Sequence, residues 1–372
     1  MKKNIMIVSN VTGGLYSFRK ELIQLLCTEY DVYIYATDGG RVEDLEALGA
    51  KVTLMKYDTH GTNPAADLKT VSYYKKEMKK LQPVMVLTYT IKPNIYAGMA
   101  AAKLGIPCVA NITGLGPAVE NPGLLQKITV PLYRHGLKKA QKVFFQNQTN
   151  FDFMLEKKIV RKEQCDLIPG SGVNLKAYTP LPYPESETVD FVFIARIVRA
   201  KGIEEYLAAA KEIRRRHPET RFHICGGCSD EYKERIEKEN SEGTIIYHGR
   251  VNDIAGMHRV SCCTVHPTFY PEGMSNVLLE SCACARPIIT TDRPGCREIV
   301  DNGINGFVVK QRDSADLIDK IEAFLALPVD KRREMGLAGR AKVEKQFDRD
   351  IVIGKYMDEI RMAEKESSGE NA

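Results

Sequence analysis

No run of about 18 apolar residues occurs anywhere in the 372-residue chain, so a membrane-spanning helix is not expected. The apolar part of the opening Met1–Val8 is shorter than a signal-peptide core and reads as a first strand. The ten cysteines have no framework spacing, which excludes a disulfide-stapled fold and implies reduced thiols. Cys225-Gly-Gly-Cys228 matches a C-x-x-C pattern. Zinc would need a second ligand pair, and Cys282 and Cys284, one residue apart, are poorly spaced to supply it. The cysteines are therefore read as incidental. A Gly-x-Gly-x-x-Gly fingerprint is missing, and so is any recognised nucleic-acid-binding motif.

What remains is a globular composition, 44% hydrophobic and 27% charged, long enough for two domains with sizeable cores. The net charge of +5 is unevenly spread. Residues 1–180 carry 24 Lys and Arg against 15 Asp and Glu, leaving 29 against 33 in the remainder. A one-sided basic surplus points to an anionic partner such as a lipid headgroup or a diphosphate.

Strands and helices alternate along the first half. Lys3–Ser9 reads as a strand, Gly13 and Gly14 as a glycine turn, and Phe18–Cys27 as a helix. The rhythm continues through strands at 31–36, 51–55 and 84–88 and helices at 42–48 and 64–81. Lys92 follows a strand end and precedes Pro93, read as the first residue of a helix. Asn111, Thr113 and Gly114 lie at the next strand end. Between Asn121 and Val143, Leu124, Leu125, Ile128, Leu132 and Leu137 recur at helical spacing beside Lys127, Arg134, Lys138 and Lys139, with Pro131 expected to break or kink the helix. A second basic helix carries Lys75, Lys76, Lys79 and Lys80 beside Tyr73 and Tyr74, read as interfacial aromatics. Two such helices suggest contact with an anionic membrane surface.

A Gly-rich turn at Gly170 and three prolines between Tyr178 and Pro184 read as a linker. Domains are accordingly expected over 1–169 and 170–349, with 350–372 a helix returning to the first domain and a polar tail. A strand over 189–195 restarts the count. Arg196 and Lys201 follow it just before a helix, where the helix dipole mildly disfavours cations, so an anion is suspected there. Arg250 and Val251 follow the strand over 245–248. Asn302–Phe307 reads as a hairpin-like turn, and helices are expected at 313–326 and 329–347.

The most specific stretch is Glu272-Gly-Met-Ser-Asn-Val-Leu-Leu-Glu280, continued by Arg286-Pro-Ile-Ile. It reads as a loop turning into a helix at Ser275 and Asn276, then a buried strand. The exposed amides of such a helix start suit a phosphate. This string, with Arg196…Lys201-Gly, resembles family 4 retaining glycosyltransferases. Thr90-Ile-Lys-Pro-Asn and Val109-Ala-Asn-Ile-Thr-Gly resemble the bacterial subset acting on undecaprenyl-diphospho-sugars, the N-acetylgalactosaminyl and N-acetylglucosaminyl transferases. Thr88-Tyr-Thr stands where many other members carry a histidine.

The resemblance implies an α/β GT-B fold, with two doubly wound Rossmann-like domains facing across a cleft and a C-terminal helix crossing back to the first. It implies a UDP-sugar donor bound by Gly13, Gly14, Arg250, Val251, the run Gly273, Met274, Ser275, Asn276 and Val277, and Glu280 on the ribose. Arg196 and Lys201 would stabilise the departing diphosphate, and Glu272 would hold a donor-sugar hydroxyl. Lys92, Asn111, Thr113 and Gly114 would border a lipid-diphosphate-linked acceptor. No Asp-x-Asp triad stands in the right setting, and no metal or other cofactor is expected. The protein would work in the cytoplasm, peripheral on the inner face of the cell membrane. A transferase to a soluble acceptor, a UDP-sugar 2-epimerase-type enzyme and a nucleotide-sugar sensor are the alternatives.

Overall fold

The computed structural model describes residues 2–56 and 64–368, and divides into two compact units. The first holds Met1–Ser171 and Asp350–Ala372, the second Gly172–Arg349. The end of the expected polar tail, residues 369–372, lies outside the described residues.

Fourteen elements of the first unit alternate as β1 (Asn4–Val11), α1 (Thr12–Glu29), β2 (Asp31–Thr37), α2 (Val42–Ala47), β3 (Lys51–Leu54), α3 (Pro64–Leu81), β4 (Met85–Tyr89), α4 (Ile91–Leu104), β5 (Cys108–Ile112), α5 (Pro117–Glu120), α6 (Leu124–Leu137), β6 (Lys142–Phe145), α7 (Gln148–Glu156) and β7 (Cys165–Leu167). The second unit runs β8 (Val189–Ile194), α8 (Ile203–Arg216), β9 (Thr220–Cys225), α9 (Lys233–Ser241), β10 (Ile246–Tyr247), α10 (Ile254–Val260), β11 (Cys263–His266), α11 (Asn276–Ala283), β12 (Ile288–Thr291), β13 (Gly306–Val309), α12 (Ser314–Leu325) and α13 (Val329–Gln346). The last helix, α14 (Arg349–Ser368), lies almost wholly in the first unit.

Both sheets are parallel. Their orders are β3-β2-β1-β4-β5-β6-β7 and β10-β9-β8-β11-β12-β13. Strands buried on both faces must be apolar throughout, and β4 and β5 are buried at every position. Each order reverses once, between β1 and β4 and between β8 and β11. Crevices at such reversals, outside the carboxyl ends of the strands, are where doubly wound sheets bind ligands. Residues 195–202 and 267–275 occupy that position in the second unit; residues 12–14 and 90–92 occupy it in the first.

On one face of the first sheet, α14 buries Val352, Tyr356, Ile360 and Ala363 against Ile5, Ile7 and Phe144. That spacing gives one apolar stripe of a helix, and it makes α14 a structural layer of the first unit.

Several local expectations fail. The glycine pair does not form a turn: α1 starts at Thr12, so Gly13 and Gly14 lie in its first turn. A Cβ on Gly13 would come within 2.5 Å of the Gly39 carbonyl oxygen, so close backbone packing requires the glycine. Pro131 does not break α6, which continues through it with Pro131 and Lys127 both exposed; a carbonyl freed there meets water. The apolar stripe of α6 divides: Leu124, Leu125 and Ile128 are exposed, whereas Leu137 is buried. Thr129, Tyr133, Gly136 and Leu137 face inward, because Gly98 and Gly136 bring α4 and α6 into backbone contact. Tyr73 and Tyr74 are not interfacial: Tyr74 is buried, and both pack into the core beside Tyr35, whose hydroxyl donates to Glu77 at 2.9 Å. The turn at 302–307 leads into β13, which pairs parallel with β12 and forms no hairpin.

Candidate active site

The segment after β8 is shaped by glycines. A Cβ on Gly226 would meet the Ala195 carbonyl oxygen at 1.8 Å, and one on Gly202 would meet the Pro267 oxygen at 2.1 Å. Gly202 has φ of 81° and leads into α8. The backbone carrying Arg196 and Lys201 is thereby pressed against the loop that follows β11.

Three of the residues singled out in the sequence gather here. Lys201 forms a hydrogen-bonded ion pair with Glu272. Its ammonium lies 4.8 Å from the centre of the Tyr270 ring, and the exposed Arg196 guanidinium lies 5.8 Å from the same ring. Tyr270, absent from the sequence-derived site, is thus the aromatic floor shared by two cations, a geometry that attracts both to its π face. Arg293 donates from Nε to the Tyr270 carbonyl oxygen at 3.3 Å.

His266, at the carboxyl end of β11, is the second residue that sequence reasoning missed. It is 2% exposed, and among the described residues neither ring nitrogen has a hydrogen-bond partner. Its Nε2 stands 4.0 Å from the Glu272 carboxylate, too far for a hydrogen bond but near enough for charge to be felt. Burial holds the imidazole below its ordinary pKa, although Glu272 pulls the other way. Burial works against the Glu272 charge too, yet His266 and Lys201 outweigh it and hold the carboxyl well below its usual range. Glu272 is therefore ionised at pH 7.

The loop closes onto α11. Ser275 is its N-cap, with no side-chain capping bond; the Ser275 amide instead donates to the Gly295 oxygen at 2.8 Å. The first helical bond runs from the Leu279 amide to the Ser275 oxygen. The amides of Asn276, Val277 and Leu278 therefore have no acceptor within the helix, at the end where the helix dipole is positive. The Asn276 Oδ1 is buried without a partner. Met274 packs its side chain into the core with Leu278 and Leu279, leaving its backbone for the site.

Glu280 lies one turn further along α11. Burial pushes its carboxyl up to about 7, against the opposing influence of Arg349 and a hydrogen bond from Tyr178. Tyr178, inside the proline-rich segment, gave no sequence signal of this partnership. Arg250 is exposed, and its Nε lies 2.8 Å from where a Cβ on Gly227 would sit, so Gly227 makes room for it. Val251 packs against Val192, Cys225 and Met257 and offers the site backbone only.

In the first unit, Lys92 lies in the first turn of α4, which begins at Ile91, so Pro93 is its third residue. The preceding Thr90 has φ of 73°, a conformation costly for a β-branched residue and concentrated at functional sites. Thr113 and Gly114 follow β5 and are half-buried. Asn111, in β5, has its side-chain amide engaged within the first unit. It is fully buried, donating to the Tyr356 hydroxyl at 2.7 Å and accepting from Gln146 Nε2 at 3.2 Å, so its amide ties α14 to the first sheet.

Comparison with known proteins bears on both units. Residues 7–147 match the family model described as glycosyl transferase 4-like, and residues 183–342 match that of glycosyl transferases group 1. The chain is 26% identical over 370 residues to the N,N'-diacetylbacillosaminyl-diphospho-undecaprenol alpha-1,3-N-acetylgalactosaminyltransferase of Campylobacter jejuni, covering 94% of this chain and 96% of that one. Among solved structures, a glycosyltransferase from Rickettsia africae matches with a TM-score of 0.82 at 19% identity, covering 98% of this chain and all of its own. HepE from Anabaena, in complex with UDP and glucose, matches at 0.78 and 16% identity, again over 98% of this chain and 100% of the other.

Proposed function

Because the chain belongs to the glycosyltransferases, with a 4-like first unit and a group 1 second unit, we propose that it is a retaining enzyme of bacterial polysaccharide or glycan assembly. It moves a hexose or N-acetylhexosamine from a UDP-sugar to a polyprenyl-diphosphate-linked sugar. The GT-B fold, two Rossmann-like parallel-sheet units, is common to it and its structural neighbours.

The observation that carries the reading is the juxtaposition of Arg196, Lys201 and Glu272 at the sheet reversal of the second unit, beside the open amides of α11. In this reading the donor diphosphate lies against Arg196, Lys201 and those amides. As the bond from the sugar C1 to the diphosphate oxygen breaks, negative charge grows on the leaving UDP. Fixed cations and amides meet it without having to reorganise. The acceptor hydroxyl attacks C1 on the leaving-group face and passes its proton to the departing diphosphate oxygen, so configuration is retained, and no protein nucleophile is assigned. Glu272 holds a donor-sugar hydroxyl and Glu280 a ribose hydroxyl. These residues supply the electrostatic work, so no metal is assigned to the reaction.

The acceptor class is supported by the Campylobacter relative, whose name specifies a diphospho-undecaprenol-linked sugar. The donor class is supported by UDP in the HepE complex. No helix among the described residues is long and apolar enough to cross a membrane. We assign the enzyme to the cytoplasm, peripheral on the inner face of the cell membrane, where such an acceptor would be met. A panel of nucleotide sugars offered with membrane extract tests the reading. UDP release that depends on both a UDP-sugar and the lipid fraction is expected; release that needs only a soluble acceptor would overturn the acceptor class.

A further inference from the structure

A second basic feature lies at the other end of the first sheet. Where α6 runs into β6 and the 157–164 segment runs into β7, a pocket of about 520 Å³ is lined by Arg134, His135, Lys138, Lys158 and Arg161. Those are the amino ends of β6 and β7, away from the carboxyl ends where the candidate active site lies. No carboxylate lines the pocket. Among the described residues, Arg134, Lys138, Lys158 and Arg161 form no ion pair with a carboxylate.

Part of this charge is accounted for by local structure. Arg134 donates from Nε to the Lys158 oxygen at 2.9 Å and from Nη2 to the Lys157 oxygen at 2.8 Å. Arg161 donates from Nη1 to the Lys138 oxygen at 2.9 Å. Each guanidinium thus caps the carbonyl end of the helix it faces. Two helix ends carry only about −0.5 charge each, so four cations leave a surplus of roughly +3. The carbonyl bonds also hold both guanidinium planes in place, with Arg134 Nη1 and Arg161 Nη2 still able to donate. A fixed, unneutralised fork of this kind suits a phosphate group.

The same helix supplies the second observation. Leu124, Leu125 and Ile128 on α6 are 75%, 53% and 47% exposed. Positions 124, 128, 131, 135 and 138 recur every three or four residues, so this apolar end and the pocket share one helix stripe. A free phosphate has no use for three exposed aliphatic side chains, whereas a phospholipid at a bilayer surface engages both the cations and the aliphatics.

We propose that the Arg134–Lys138–Lys158–Arg161 pocket holds the headgroup phosphate of an anionic phospholipid, with Leu124, Leu125 and Ile128 set into the bilayer surface beside it. The inference rests on the membrane-linked acceptor only in placing the protein at a membrane. It assigns the contact to α6, since Tyr74 is buried and Tyr73 packs into the core, so the aromatics of α3 are not free to insert.

The test is sedimentation of the full chain with phosphatidylcholine vesicles made with and without phosphatidylglycerol, in the absence of donor and acceptor. Lys138→Gln with Lys158→Asn removes two charges; asparagine tolerates the left-handed φ of 51° at position 158. Binding to the anionic vesicles should weaken roughly 30-fold, at about a factor of 5 per cation near the surface. Leu124→Ser with Ile128→Ser, at exposed positions, should weaken it by at least about tenfold. Vesicle binding unchanged in the lysine variant would overturn the proposal. So would binding of inorganic phosphate by these lysines without binding of vesicles. UDP release toward acceptor in detergent should stay at the wild-type level in both variants. Loss of transfer there with vesicle binding intact would count against this pocket and leave the donor site untouched.

Discussion

The two sheet reversals differ more in charge than in topology. Both lie between the first and fourth strands of the same Rossmann-like order. The second unit's reversal concentrates Arg196, Lys201, Glu272 and His266 around one tyrosine ring and a bare helix start. The first unit's holds the close-packed Gly13, the strained Thr90 and Lys92, with the Arg19 guanidinium 5.1 Å from the centre of the Tyr89 ring at the end of β4. One architecture therefore offers two different crevices. In the proposed reaction the second would meet a diphosphate whose charge grows as its bond to the sugar breaks. The first would border the acceptor.

The comparison breaks most visibly if the charges of the second reversal are removed. Arg196→Ala combined with Lys201→Ala should lower kcat by roughly 10³-fold or more, about 4 kcal/mol of transition-state stabilisation, read as UDP release. Full activity in that variant would erase the distinction between the two crevices.

A smaller effect is expected at Glu280. Its carboxyl titrates near 4.5 in the unfolded chain and at about 7 in the folded one. Between those values the folded state holds the extra proton, so stability falls as pH rises through this window. Glu280→Gln cannot ionise. It should be more stable than wild type above pH 7 by about 1–3 kcal/mol and equal to it below pH 4.5. Chemical denaturation at the two pH extremes reads this out, and an equal difference at both would refute the assignment.

His266 sharpens the picture further. If its ring positions Glu272, His266→Leu should cut kcat about tenfold while leaving thermal stability equal or improved, since a buried ring with two unpartnered nitrogens is removed. A loss of both together would mark the ring as simple packing. At the first crevice the expected effect falls on stability alone. Gly13→Ala should destabilise by about 1–3 kcal/mol through its clash with Gly39, whereas a Cβ at Gly14 meets only Val11 at 3.6 Å. UDP affinity should move in neither variant if Gly13 serves packing alone; a selective loss in Gly13→Ala would return it to the donor site.

Much of the α/β architecture was legible, because strands buried on both faces must be apolar runs and the intervening helices show their period. What escaped depends on contacts distant in sequence. The inward side of α6 is chosen by Gly98 on a different helix, and Leu124, Leu125 and Ile128 stay outside. The parallel pairing of β13 is invisible in the turn before it. In the site, the Glu272 string is local and was readable as a string. His266 and Tyr270 flank it within a few residues, but an isolated histidine or tyrosine carries no signal until the fold brings Lys201 and Arg196 beside it. Asn111 shows another contact the sequence hides: a polar residue near a strand end also holds α14.

The central claim is that the second unit's crevice binds a diphosphate through Arg196, Lys201 and the amides of α11. Calorimetric affinities for UDP and for uridine, in the wild type and the Arg196→Ala/Lys201→Ala variant, test it most directly. The account predicts that the wild type prefers UDP strongly and that the preference falls at least about tenfold in the variant, with uridine binding little changed. A UDP-to-uridine ratio that is the same in both proteins would contradict it.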